Sequence, residues 1–470
     1  MVLDFVEMSR PDEIESLRIP LFMLLEGSVD SSLRIAIGLI YRTVLLFVSP
    51  PERLLPATRT GAVMFCIPHG TPSNISNILP IVEDASSRGG LGGILMGGFG
   101  SRHEVAFGTC TPTSLDRLVA GVPAGKRVRC FWRAIRTLCR VRKLSRRQFP
   151  QIARSLNGKF SFLLNQISLS LLVREVIGDL LELWRPSAVI TSSDFWPFEY
   201  EVVSAAKKNA ILTLVVQHGI VDPFWWPFCA DRLLLWGRPF EEQMVALGAP
   251  RDRLSLVGMP ATDQIFRSRG ADEDGWEEET VDSCLIISQT NAAGVYPDAF
   301  KKYYAFLKET IGHLSNVEWR IKLHPVEDGK FYLNLQREVG AELKILPKGT
   351  KLDAAVRDSR ISLTVFSTAG LEVMIMQRPL IVLNVSPHLA EFAWWPSQGG
   401  GVYASSPSQL RTTIRQLLSD RKAAGRHVGR QNEFIASCFE NPGYAAKAVM
   451  DHVVSLTPSA NWNQNTSPCQ

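Results

Sequence analysis

The chain predicts an α/β architecture of two doubly wound domains facing across a cleft. Three observations predict it. At 470 residues the chain is too long for one ordinary domain. Short, continuously apolar runs alternate with longer helical patterns, as parallel α/β units require. That alternation occurs twice, on either side of an acidic, glycine-containing stretch at 267–283 that has no apolar period. With 46% hydrophobic and 21% charged residues, the composition supplies material for two cores and excludes a disordered or collagen-like chain.

Residues 1–59 form an N-terminal helical segment in this reading. Asp4, Glu7, Asp12, Glu13 and Glu15 make the start acidic, so no secretory leader is expected. The apolar stretch Ile35 to Val48 is broken by Arg42 and closed by Pro50 and Pro51, which leaves it too short to span a bilayer. The first domain, 60–266, carries apolar runs at 62–67, 91–96, 188–191, 212–216, 232–236 and 254–257, with helices expected near 74–88, 150–184, 197–209 and 239–247. After the connection at 267–283, the second domain, 284–456, repeats the pattern with runs at 284–287, 319–323, 343–346, 361–366 and 380–383. Residues 457–470, polar and proline-containing, read as a flexible tail. Eight cysteines without a C-x-x-C pair indicate neither a zinc ribbon nor a disulfide framework, so a reducing, cytoplasmic setting is expected.

Charge is local. The net charge is +5, yet residues 126–147 alone carry ten Lys or Arg and no acid. Arg129, Arg133, Arg136, Arg140, Lys143 and Arg147 recur every three or four residues, which stacks them on one helix face. The stripe is either a solvated face or a site of attraction to an anionic membrane surface or phosphorylated acceptor. No recognition motif accompanies it, so nucleic acid is not expected as a partner.

Ligands of doubly wound sheets bind beyond the carboxyl ends of the strands, so residues in those loops that packing does not require are the candidates. After the first run come Pro68-His69-Gly70-Thr71-Pro72-Ser73-Asn74, where His69, Thr71 and Asn74 serve as a helix cap or as acceptor contacts. After 212–216 come Gln217-His218-Gly219, where an imidazole of near-neutral pKa is a candidate base and Gly219 lets the turn close and leaves room for substrate. Asp194, in Thr191-Ser192-Ser193-Asp194 at another strand end, is the rival base. In the second domain, Lys322 and His324 stand two residues apart, so an extended strand projects both to one face, ready for a phosphate. Ser367, Thr368, Gly370 and Glu372 open a helix after another strand; hydroxyls and amides there suit an anion, and Glu372 suits sugar or ribose hydroxyls. Trp225, Trp226, Trp394 and Trp395 either fill a core or stack on sugars.

Taken in order, Gln217-His218-Gly219, Ala230-Asp231 with Trp236-Gly237, Val257-Gly258-Met259-Pro260-Ala261-Thr262-Asp263, Lys322-Leu323-His324-Pro325, and Ser367-Thr368-Ala369-Gly370-Leu371-Glu372 with Arg378-Pro379-Leu380 resemble the GT-B glycosyltransferase superfamily. Within it the chain is most similar to bacterial surface-polysaccharide enzymes: capsule Kdo transferases, polysialyltransferases and CDP-glycerol glycerophosphotransferases. The likeness covers about 186–385 well and 60–100 loosely.

The resemblance implies two Rossmann-like domains, the first holding an acceptor and the second a nucleotide-activated donor. By that likeness His324 bonds the donor phosphate, Ser367 and Thr368 bind phosphate, and Glu372 contacts ribose. Lys322, Gly370, Gln289 and Thr290 complete the implied donor set. His218 or Asp194 acts as base; where the polyol phosphotransferases carry tryptophan before the His-Gly, this chain has Gln217. No metal or cofactor is implied. The activity implied is transfer of a sugar from a nucleotide sugar to a growing polysaccharide or lipid-linked saccharide, at the inner face of the cytoplasmic membrane. A teichoic-acid type CDP-polyol phosphotransferase, a nucleotide-sugar 2-epimerase and a non-catalytic nucleotide-sugar binder are the alternatives.

Overall fold

The computed structural model describes residues 63–67, 72–97, 112–148, 160–195, 197–269, 281–289, 297–324, 327–386, 394–458 and 462. The chain divides into two units: Met1–Leu235 with Phe240–Ala261 and Tyr444–Gln470, and Trp236–Pro239 with Thr262–Gly443. Each is organised around one parallel sheet. No helix among the described residues is long and apolar enough to cross a membrane.

In the first unit the strands are β1 (Val63–Ile67), β2 (Leu91–Met96), β3 (Thr113–Ser114), β4 (Ala188–Thr191), β5 (Leu212–Val216), β6 (Arg232–Leu235) and β7 (Leu254–Leu256), in the order β3-β2-β1-β4-β5-β6-β7. All pairings are parallel. The strands are apolar along nearly their whole length because helices cover both faces. On β1, Met64 and Cys66 point to one side, where Leu138, Leu163 and Val202 from the helices Ala124–Gln148, Phe160–Trp184 and Pro197–Lys208 complete a core. Val63, Phe65 and Ile67 point to the other, into a core shared with Ile78, Ile81 and Val82 of the helix Pro72–Ser87. Gly93 of β2 leaves the space into which the Trp184 ring fits, since a Cβ there would stand 2.5 Å from the indole.

The helix Ala445–Leu456, expected with the second domain, belongs to the first unit. Its Val449, Met450 and Val453 fill the face opened by Val63 and Phe65. Asp451 pairs with Arg88 at 2.7 Å, and His452 bonds Ser255 at 3.0 Å. Apolar area left bare on the first sheet outweighs nearness in sequence. Trp462, within the stretch read as a tail, packs against Gly90, where a Cβ would come within 2.4 Å of the ring.

The second unit carries β8 (Ser283–Ile287), β9 (Glu318–Lys322), β10 (Leu343–Ile345), β11 (Ile361–Thr364), β12 (Leu380–Leu383) and β13 (Val402–Ala404), ordered β10-β9-β8-β11-β12-β13 and parallel throughout. Strand order reverses between β8 and β11, as it does between β1 and β4 in the first unit, so each sheet has a topological switch point. Cys284, Ile286, Trp319, Ile321 and Leu363 pack on Tyr303, Phe306 and Ile311 of the helix Pro297–Gly312. Two motifs of the sequence find structural roles here. The segment 438–440 crosses closely over Trp236-Gly237: Glu440 N–H donates to Trp236 O at 2.9 Å, and a Cβ on Gly237 would lie 2.1 Å from Cys438 O. The start of β12 is zipped to the helix Arg421–Cys438 by Gln431, which accepts from Leu380 N–H at 2.9 Å and donates to Arg378 O at 2.8 Å. Of the expected linker, Arg267 and Ser268 end the helix Asp263–Ser268, Ser283 opens β8, and 270–280 lie outside the described residues.

Candidate functional site

In the second unit the candidate residues lie beyond the carboxyl ends of β8, β9 and β11. Alternation along β9 buries Trp319, Ile321 and Leu323 in the core and turns Lys322 and His324 to the opposite face. The turn after the strand is closed by Glu327, a buried carboxylate: His324 N–H donates to its Oε2 at 3.0 Å, and Glu327 N–H donates to His324 O at 2.9 Å. The ring of His324 reaches solvent, yet nearby protein removes enough water to lower its pKa below 6.5. Glu327 opposes that shift and the Lys322 charge adds to it. Imidazole is therefore neutral at pH 7, a hydrogen-bonding group rather than a cation. Lys322 supplies the positive charge, its own pKa lowered by burial and supported by Glu372.

Glu372 sits in the first turn of the short helix Ala369–Ile375. Burial pushes its carboxyl from 4.5 up to about 7, against the pull of Lys322, with Asp353 adding repulsion. Near neutrality it thus exchanges between an acceptor-only carboxylate and an acid that can also donate. The loop before it is partly self-satisfied. Ser367 Oγ accepts from Ala369 N–H at 3.2 Å, Ser367 O accepts from Gly370 N–H at 2.9 Å, and Thr368 O accepts from Leu371 N–H at 2.9 Å. The expected open row of amides at this helix start is taken up internally. Thr368 makes no side-chain cap, which leaves its hydroxyl for a ligand. Gly370 has a packing role: a Cβ would stand 3.1 Å from Leu380 and 3.4 Å from Thr364.

Gln289 has a lacing role. It is buried just past β8, and its Oε1 accepts from Phe366 N–H at 2.7 Å and Thr364 Oγ1 at 3.3 Å, bridging the switch point. Behind it a chain of hydroxyls, Tyr303 to Tyr332 to Ser288 with both steps at 2.8 Å, fixes the end of β8, while Ser288 N–H donates to Lys322 O at 2.9 Å. β9 and β11 flank β8, so two inter-strand spacings, roughly 10 Å, separate the Lys322–His324 loop from the Ser367–Thr368 loop. That span suits a phosphate-bearing ligand touching both. Thr290 lies outside the described residues.

In the first unit, β4 and β5 deliver the other candidates. His218 Nδ1 lies 2.5 Å from Ser192 O. A carbonyl only accepts, so Nδ1 carries the proton and Nε2 of the neutral ring keeps its lone pair, the tautomer a base needs. The imidazole lies against buried Trp225, with centroids 5.0 Å apart, and near Phe195 at 6.4 Å. Gln217, fully buried, donates through Nε2 to Gly219 O at 2.8 Å and braces the turn. Gly219 has open space around it and no left-handed backbone, so the turn does not need glycine to close.

Asp194 is committed elsewhere. Its Oδ2 accepts from Cys229 N–H at 2.5 Å and Ala230 N–H at 2.7 Å, pinning the loop after β5 to the end of β4. One oxygen of Asp194 is thus taken up by two backbone amides, a role in holding the loop. Sequence reasoning missed Glu199, in the first turn of the helix Pro197–Lys208 and 1% exposed. Burial pushes its carboxyl up to about 8, with the Asp194 charge adding and a Ser193 hydrogen bond opposing. An acid in the first turn of a helix resembles an ordinary dipole partner, and only burial sets this one apart. His69 and Thr71 lie outside the described residues; Asn74 lies in the helix Pro72–Ser87, its side chain outside them.

No family model matches the chain, and no curated protein matches it. Solved structures do. A UDP-N-acetylglucosamine 2-epimerase homologue from Listeria monocytogenes aligns over 87% of this chain and 100% of its own, with TM-score 0.55 and 13% identity. UDP-GlcNAc 2-epimerase from Neisseria meningitidis, bound to UDP-GlcNAc, aligns over 84% and 100%, with TM-score 0.52 and 11% identity. HepE from Anabaena, in complex with UDP-glucose, aligns over 85% and 99%, with TM-score 0.50 and 10% identity. The two parallel sheets are thus the two Rossmann-like domains of a GT-B-like α/β fold. These likenesses do not extend to the surface-polysaccharide families named above.

Proposed function

We propose that the chain is an enzyme acting on a nucleotide-activated sugar. The observation that carries the proposal is the grouping of Lys322, His324, Thr368 and Glu372 at the carboxyl edge of the second sheet, around its switch point. Lys322 offsets the charge that gathers on the phosphate as the bond to the anomeric carbon breaks, His324 donates a neutral hydrogen bond to it, and Glu372 accepts from ribose hydroxyls. Lys322 and these donors stand in for a cation, so added EDTA leaves the reaction unchanged.

Two reactions follow from loss of the nucleotide, and both need a base such as His218. Inversion at C2 needs the C2 proton taken and returned without an acceptor; the names of the Listeria and Neisseria neighbours support this reading and put it first. Transfer needs the proton of an acceptor hydroxyl; the series of motifs from Gln217-His218-Gly219 to Arg378-Pro379-Leu380 supports it as the second reading. The test is incubation of the full chain with UDP-, CDP-, GDP- and CMP-sugars in deuterated water. Acceptor-free deuterium at C2 supports epimerisation. Nucleotide release that requires an added saccharide supports transfer. Failure of any nucleotide to bind sinks the proposal.

A further inference from the structure

The helix Ala124–Gln148 carries a surface that the proposed chemistry does not use. Its inner face, with Cys130, Ala134, Leu138 and Val141, is buried in the core of the first unit. The outer face exposes Arg129, Arg133, Arg136 and Arg140 and, along one edge, Val128 at 46% and Trp132 at 57%. At 100° per residue these six fall within about 140° of arc, opposite the buried face. Trp132 is the only exposed tryptophan among the described residues. At the margins the charges turn to the protein: Lys126 pairs with Glu175 at 3.3 Å, and Arg127 bonds the carbonyls of Ala120 and Val122. The outer stripe has no acid in its own helix to answer it.

Like charges at three- and four-residue spacing repel, and a surface of opposite charge laid along the row relieves that repulsion. An aliphatic and an indole side chain held in water beside that row add an apolar strip. A cationic band alongside a Trp-containing apolar strip on a long helix is the arrangement that lies in a headgroup layer, arginines at the phosphates and indole at the acyl boundary. Single-stranded nucleic acid is favoured instead by a groove with stacking platforms, and this face is convex. We propose that the outer face of the helix Ala124–Gln148 docks the protein on an anionic lipid surface.

The test is co-sedimentation of the full chain with vesicles of phosphatidylcholine alone or with about 30 mol% phosphatidylglycerol, at roughly 0.1 M and 0.5 M salt. Binding is expected only to anionic vesicles, reversed by the higher salt. Each arginine removed should weaken it about fivefold, so Arg129→Gln/Arg136→Gln/Arg140→Gln should lose roughly 100-fold. Brominated lipids should quench a fluorescence component that Trp132→Phe removes, a readout that does not depend on the arginine variants folding. Equal binding to both vesicle types, wild-type affinity in the triple variant, quenching unaffected by Trp132→Phe, or tighter binding to a single-stranded oligonucleotide than to vesicles would each overturn the proposal.

Discussion

Replacing Glu199 by glutamine should remove a pH dependence from the first unit. The carboxyl is 1% exposed, and burial pushes it from 4.5 up to about 8. The folded state therefore holds a proton that the unfolded chain releases near 4.5, and stability falls as pH rises between those values. A gap of about 3.5 pH units, at about 1.4 kcal/mol each, makes full ionisation cost on the order of 5 kcal/mol. Most of it develops early: integrating the titration between pH 5 and 7.5 gives about 3 kcal/mol. Glutamine keeps the size and a donor but cannot ionise. Hydrogen exchange of the helix Pro197–Lys208, corrected for intrinsic rates, reads the local free energy. Wild-type protection should fall by roughly two orders of magnitude over that range while Glu199→Gln stays flat. Parallel profiles for the two proteins would refute the assignment of a neutral buried acid.

Lys322→Met should weaken nucleotide binding by about 10- to 100-fold, the loss of a charged hydrogen bond, measured by calorimetry; unchanged affinity would remove Lys322 from the phosphate. His218→Gln should lower turnover by about 10²- to 10⁴-fold while leaving nucleotide affinity intact, because the two groups belong to different units. Equal loss of both would make His218 a binding rather than a basic group. Gly237→Ala should destabilise the second unit by about 1–3 kcal/mol in urea denaturation, since the added carbon meets backbone rather than a yielding side chain; a neutral result would mean that the 438–440 crossing moves freely.

Most strands were legible because a strand covered on both faces has no polar side to show, and runs such as Val63–Ile67 and Leu380–Leu383 stand out against their surroundings. β3, with Thr113 and Ser114, and β13, with half-buried Val402 and Tyr403, escaped notice because short edge strands carry little apolar pattern. Allegiance of the last helix was hidden for another reason: its stripe of Val449, Met450 and Val453 fits any apolar face, and only the three-dimensional vacancy decides which. At the site, the pairing of Lys322 with His324 followed from their spacing. The lacing by Gln289 and the neutral state of Glu199 did not, because both depend on partners contributed by other strands and turns.

The return of the helix Ala445–Leu456 to the first sheet means that neither half of the molecule is a continuous length of polypeptide. A ribosome finishes most of the second unit before it supplies the last wall of the first. Gene fragments ending near residue 266 would keep the helix Pro72–Ser87 on the Val63–Phe65 face but lose Val449, Met450 and Val453, leaving part of it uncovered and prone to clump. Shuffling of the first unit between related genes must therefore carry two separated pieces of polypeptide together.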